Sequence, residues 1–296
     1  MCRTLTDLGT ATCWGNGSFG ENFVPAGWGW SRLSTGRSHA CGVRRDTGEV
    51  HCWGGGGYGE TVSPAGVTFG ALAVGDDFTC GLRIDNGHIE CWGRSAEGQT
   101  AAPPGTAFAE LAASGSYACA LRSVDGHAAC WGSDFYGRTM PPEGVALRGL
   151  SAGSNHACAV RADSSAAECW GLDSGGQSSP PAGVAFSTVA AGGGHSCGVR
   201  VTDDHVQCWG DDGSGQASPT RKRRVLGARR RWRAPCALRA DSGEAQCWGD
   251  DTYGQASLPA GVAFTALSAG YFYTCGLRAS DGVEVCWGEQ GRNIWR

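Results

Sequence analysis

Sixteen cysteines are the residues in this chain with the most reactive chemistry. They fall into eight pairs, each eleven positions apart: Cys2/Cys13, Cys41/Cys52, Cys80/Cys91, Cys119/Cys130, Cys158/Cys169, Cys197/Cys208, Cys236/Cys247 and Cys275/Cys286. Each first cysteine follows the last by 39 residues, and each second one opens Cys-Trp-Gly. Three chemistries suit such pairs: disulfides, metal ligation, or small buried thiols. An odd separation folded about an even-numbered loop sets both cysteines opposite each other on one face of a hairpin. A non-hydrogen-bonded pair there has Cα atoms about 4.5 Å apart, within disulfide range. Each bridge would close a short loop and contribute about 2–3 kcal/mol. For zinc there is no Cys-x-x-Cys, and a histidine two residues before the first cysteine stands only at His39, His156 and His195. No cysteine is left over and the spacing never varies, which favours eight disulfides. Disulfides imply an oxidising compartment: periplasm, cell surface or outside the cell.

Other chemistry has little footing. There is no Gly-x-Ser-x-Gly, no His-Glu-x-x-His and no phosphate-binding loop. The acidic pairs Asp211-Asp212 and Asp250-Asp251 have the composition of calcium ligands, but they stand in only two repeats. The expectation is a chain without catalysis, cofactor or metal.

The elements that position the cysteines can be read from one unit, residues 64–102. Pro-Ala-Gly is a turn. VTFGALAVG reads as a strand, FTCGLR as a second, Asp85-Asn86-Gly87 as a hairpin turn, and HIECWG as a third strand. RSAEGQ is a loop, with room for a short fourth strand before the next proline. No segment shows an apolar 3.6-residue period with caps, so helices should be nearly absent. A unit of 39 residues is too small to bury a core alone, so it must pack on its neighbours. Three or four antiparallel strands per unit predict an all-β, seven-bladed β-propeller with one Cys-Cys hairpin per blade. Trp53 and its equivalents read as packing between blades. The count is awkward: there are eight hairpins but seven strands of the VTFGALAVG type. Eight blades or an open propeller fragment stay as alternatives, and a parallel β-helix is the other architecture. One domain is expected over residues 1–296.

The chain has 296 residues and a formal charge of −4. Eight of its 24 basic residues, including its lysine, sit in RKRRVLGARRRWR at 221–233, so the rest is markedly acidic. No apolar run approaches the ~18 residues needed to span a bilayer. The N-terminal MCRTLTDLGTATCWG starts inside the first pair and does not read as an export signal, so any such signal is expected upstream. Residues 220–235 are aberrant: the length and the cysteine register are kept, but the first strand of the repeat is expected to be gone. A basic patch for nucleic acid or acidic lipid is one reading. A compensated reading-frame shift is the favoured one, since a plus-one reading of GC-rich codons restores a repeat-like strand. Five arginines at strand positions should weaken that blade.

At this point the unit resembles a known family. VAFTALSAGYFYTCGLRASDGVEVCWG at 262–288, and loops such as DDTYGQ at 250–255, are similar to the regulator of chromosome condensation repeat. The shared landmarks are Ala-Gly-x-x-His, Asp-Gly, Trp-Gly and Gly-Gln, and they cover nearly the whole chain except 220–235. The short unit looks more like the bacterial members, including the secreted β-lactamase-inhibitor propeller; the cysteine pairs depart from both branches. The resemblance implies a seven-bladed propeller that acts by binding proteins. The family's exchange factor carries an extension and an inserted wedge with no counterpart here, so nucleotide exchange is not expected.

Compared with one another, the repeats vary most in the loop just before each first cysteine. In the resembling inhibitor, and in a photoreceptor of the same family, that loop faces the partner. This carries over as candidate partner-binding residues: Arg37, Asp76, Asp77, Ser116, Asn155, Tyr271 and Phe272. Phe78, Tyr117 and Tyr273 replace a scaffold histidine and read as buried instead. The expected partner is a protein not identified by the sequence. No nucleic acid and no membrane span are expected, and the chain should be monomeric. The rival reading is a structural or adhesive module of a larger exported surface protein.

Overall fold

In each repeat the first strand ends at a tight turn, the middle strand runs back through the first cysteine, and the third carries Cys-Trp-Gly. A computed structural model describes residues 2–5, 10–13, 18–219, 225–229, 235–239, 242–269, 273–281 and 283–288. The chain divides into two compact units, residues 1–150 and 151–296. The first unit opens with a two-stranded sheet, Cys2–Leu5 with Thr10–Cys13. Three three-stranded antiparallel sheets follow: Trp30–Thr35, His39–Arg44 and Val50–Gly54; Phe69–Val74, Phe78–Arg83 and Ile89–Gly93; Phe108–Ser114, Tyr117–Arg122 and Ala128–Gly132. Four more follow, the first of them starting just before the boundary: Leu147–Ala152, His156–Arg161 and Ala167–Gly171; Phe186–Ala191, His195–Arg200 and Val206–Gly210; Val225–Arg229, Cys236–Arg239 and Ala245–Cys247; Phe264–Ala269, Tyr273–Arg278 and Glu284–Gly288. The fold is an all-β propeller type, with sheets of one pattern repeated as blades. Among the described residues, seven sheets have a first strand and the Cys2 hairpin has none, which is the imbalance the sequence showed.

The register puts each first cysteine opposite its partner, as in Cys80↔Cys91. Seven disulfides close across this position: Cys41–Cys52, Cys80–Cys91, Cys119–Cys130, Cys158–Cys169, Cys197–Cys208, Cys236–Cys247 and Cys275–Cys286. Their Cα–Cα distances are 4.0–4.1 Å. Cys13 is also disulfide-bonded, and Cys2 stands opposite it in the backbone register. The Asp-Gly type turns close the hairpins: Gly87 adopts φ +69°, a conformation that glycine reaches without strain.

Adjacency of Cys and Trp explains the core. Successive residues of a strand point to opposite faces. The disulfide therefore faces one neighbouring blade and the tryptophan the other. Cys41, Val43, Val50 and Cys52 of one blade form a buried cluster with Phe69, Val74 and Trp92 of the next. In the second unit Cys158, Val160 and Ala167 meet Phe186, Val189, Ala191 and Trp209 in the same way. Within a blade the first-strand aromatic packs on the tryptophan, with centroids 5.8 Å apart for Phe69–Trp92 and 5.5 Å for Phe186–Trp209. Gly81 makes room: a Cβ there would lie 2.3 Å from the Phe69 ring.

Two expectations are corrected. No fourth strand occurs in the described residues; after Trp-Gly the chain folds into turns pinned by a buried side chain, as where Gln99 Oε1 accepts the Glu97 N–H at 2.8 Å. Second, the first strand is not lost in the basic stretch. Val225–Arg229 pairs with Cys236–Arg239 in the repeat's register, with Arg229 opposite Cys236. Backbone ladder bonds need no particular side chain, so the strand forms although its sequence pattern is broken. The rest of 220–235, apart from Pro235, lies outside the described residues.

The two cysteines of a pair also differ in burial. Cys41, Cys80, Cys119, Cys158, Cys197, Cys236 and Cys275 are buried. Their partners Cys91, Cys130, Cys169, Cys208 and Cys286 are only half-buried. Cys52 and Cys247 are buried, at 6% and 7% exposure. The first cysteine lies on the central strand of its sheet, and the second on the third strand, which has a ladder partner on one side only and so permits exposure without requiring it. What holds Cys91, Cys130, Cys169, Cys208 and Cys286 in place is the covalent bond as well as burial.

Candidate protein-binding loop face

Each blade brings two loops to the same end: the tight turn before the first cysteine and the loop after Trp-Gly. Backbone bonds tie them together, from Arg94 N–H to the Asp77 carbonyl (2.9 Å), from Ser133 to Ser116 (2.9 Å) and from Leu172 to Asn155 (2.9 Å). The first loop is also tied to the next blade, where Asp76 N–H donates to the Gly115 carbonyl at 2.8 Å. Beneath the loops, His39 Nε2 and Thr79 Oγ1 are 2.8 Å apart, as are His156 Nε2 and Ser196 Oγ. Burial lowers the pKa of His39 and takes that of His195 down to about 4.

In the first unit Arg37 is exposed, and Asp76, Asp77 and Ser116 are half-buried. A polar belt joins three successive blades. Arg94 stacks over Tyr58 at 5.5 Å and pairs with Asp77 (3.5 Å) and Glu97 (3.7 Å). Hydrogen bonds from the Ser133 and Ser116 hydroxyls, aided by Arg94 and Arg138, hold the Glu97 carboxyl below its ordinary value. Arg138 stands where Gln99 stands one repeat earlier. It is buried, donates to the Ser133 carbonyl (2.8 Å) and Ser116 Oγ (3.0 Å), and lies 5.0 Å over the Tyr117 ring. In the second unit Asn155 is half-buried. Tyr271 and Phe272 lie outside the described residues, as does the side chain of Tyr273. Phe78 and Tyr117 are buried scaffold, as expected.

The acidic loops are held by their own carboxylates. Asp212 accepts the Ala217 N–H (2.8 Å) and the Ser218 hydroxyl (2.6 Å), and Asp251 does the same with Ala256 and Ser257. These carboxylates cap their own loops. Sequence reasoning missed one series: Phe19, Tyr58, Tyr136 and Tyr253 share one register position, just before the glycine of the post-Trp-Gly loop, and all four are exposed. Their 39-residue spacing was the signal.

Fold and site together define a disulfide-stapled propeller with a loop-built face. Residues 30–60 and 186–216 match the family model of the Regulator of chromosome condensation (RCC1) repeat, and the chain carries repeats of that type. Among solved structures, the entire ectodomain of the Physcomitrella patens receptor kinase CR4 is similar at 27% identity, covering 86% of this chain and 72% of that one, with a TM-score of 0.71. The ectodomain of the Arabidopsis thaliana receptor kinase ACR4 is 28% identical, covering 88% and 95%, with a TM-score of 0.70. Prp20p of Saccharomyces cerevisiae shares the fold at 15% identity, covering 74% and 71%, with a TM-score of 0.59. A comparison with curated proteins by sequence finds no match.

Proposed function

We propose that this chain is an extracytoplasmic, non-catalytic propeller that binds another protein through the loops at one end of its blades. The observation that carries this reading is the contrast between frame and rim. The disulfides, aromatic pairs and hairpin turns repeat from blade to blade, while the loops that join them at one end differ in every repeat. Rigid frames that carry divergent loops are suited to recognition. Disulfides in every complete blade support an oxidising compartment, and the two ectodomains at 27% and 28% identity support an extracellular setting. Charged side chains elsewhere serve the frame, as in the Arg161–Asp163 pair (2.8 Å) at a hairpin turn. In this reading residues 1–296 make one domain that acts as a monomer, and Arg37, Asp76, Asp77, Ser116, Asn155, Tyr271 and Phe272 contribute to the face.

The ectodomain likeness also favours a second reading, in which the chain is one module of a larger surface protein. A capture experiment from culture supernatant or extracellular fluid separates rim from frame. Ser116→Arg with Asp77→Lys should abolish capture of a defined partner, and Asp85→Lys at the opposite end should leave it intact. Equal capture by both variants would refute the loop face.

A further inference from the structure

The loops after Trp-Gly differ in polarity between the two units. In the first, two positions of each loop carry Phe19 and Phe23, Tyr58 and Val62, Glu97 and Ala101, Tyr136 and Met140. In the second, the same positions carry Gly175 and Ser179, Ser214 and Ser218, Tyr253 and Ser257. Six of the eight side chains of the first unit are large and apolar, and all six are strongly exposed, from 59% for Tyr58 to 77% for Phe23. Phe135, beside Tyr136, adds a seventh at 67%. Exposed apolar groups scattered singly need no explanation, but a series fixed to two register positions in three of the four loops at one end of a unit does.

The series has a charged centre. The belt of Asp77, Arg94 and Glu97 lies in sequence between the Phe19/Phe23/Tyr58/Val62 group and the Phe135/Tyr136/Met140 group, and Tyr58 touches it through Arg94. Counting both loop types, this end of the first unit holds six carboxylates (Glu21, Glu60, Asp76, Asp77, Glu97, Asp134) against the three guanidinium groups of Arg37, Arg94 and Arg138. Arg94 already faces two carboxylates, and Arg138 and Glu60 are both buried, which leaves five carboxylates against the guanidinium groups of Arg37 and Arg94. The surplus is therefore negative, and Glu97 is held in its ionised form.

We infer that this end of the first unit is a docking surface for a protein segment that carries apolar anchors on either side of a lysine or arginine. Aromatic and methionine side chains supply the anchor contacts, and the carboxylate surplus selects the basic residue between them. This deepens the loop-face reading and rests on it: it assigns recognition to the post-Trp-Gly loops of one unit and names the chemistry of the occupant.

The test uses the full oxidised chain and a phage-displayed random peptide library as the probe. Selected peptides should be enriched in apolar–basic–apolar patterns. Tyr136→Ser with Met140→Ser, and separately Tyr58→Ser with Val62→Ser, should each weaken a synthetic copy of the leading peptide about tenfold or more. Glu97→Gln should weaken it and flatten its salt dependence, while Tyr253→Ser should leave it unchanged. All these residues are exposed, and an unchanged melting temperature checks that each variant is folded. Peptides without a basic residue, or insensitive to the first-unit variants, overturn the inference. If such peptides compete instead at Asn155, Tyr271 or Phe272, the loop-face reading survives and this one fails. If binding maps to Ile84 or Val124 at the opposite end, both fail. A library that yields no enriched sequence also counts against the inference.

Discussion

His195 shows what a single residue contributes here. It is buried at the start of its middle strand, and desolvation takes its pKa down to about 4, against the attraction of Asp211 and Asp212. The unfolded chain binds this proton near pH 6.5 and the folded chain only near 4. Stability from this group is therefore complete above pH 6.5 and falls as pH drops through 6.5 towards 4. His39 has the same direction of shift. The melting temperature should decline over that window, and His195→Gln should make the decline shallower. An identical pH profile for the variant would show that this histidine is not the titrating group. The histidine was legible as scaffold because it shares its position with Phe78 and Tyr117. Arg138 was not: a buried arginine in a glutamine's position is only explained once Ser116, Ser133 and Tyr117 are seen around it.

At the scale of the blade, the disulfide and the aromatic pair are the two faces of one sheet. Gly81 is the residue that lets them coexist, because its missing Cβ is where the Phe69 ring lies. Gly81→Ala should cost about 1–3 kcal/mol through overpacking. Gly105→Ala, at a turn where a Cβ would meet no atom within 4 Å, should cost less, and only through its positive φ. Denaturant unfolding of both variants checks the order; equal losses would contradict the packing account. Opening one staple with Cys80→Ala and Cys91→Ala should cost about 2–3 kcal/mol. The hairpins were fully legible, since the turn residues and the eleven-residue spacing both fix the register. The unequal burial within a pair was not, because eleven-residue spacing says which cysteines meet but not which strand of the sheet is central. The strand Val225–Arg229 was hidden because side-chain pattern reports burial, whereas a ladder needs only backbone. The aromatic series was hidden for a related reason: a position that varies between Phe, Tyr, Glu, Gly and Ser looks like ordinary loop until exposure singles it out.

For the molecule as a whole, repetition did most of the work in making the fold readable. A unit too small to hold a core must share one, and the alternation of Cys and Trp along the third strand says on which two sides it does so. The function was less legible, because the repeated part of the sequence is the frame and recognition resides in the part that does not repeat. The claim on which everything else depends is that each ribbon is pinned to itself. Peptide mapping of the folded chain, non-reduced against reduced, tests it directly. The account predicts one linkage type throughout, each first cysteine joined to the cysteine eleven residues on, with no free thiol and a marked fall in melting temperature on reduction. Free thiols in the native chain, or links between different repeats, would contradict it.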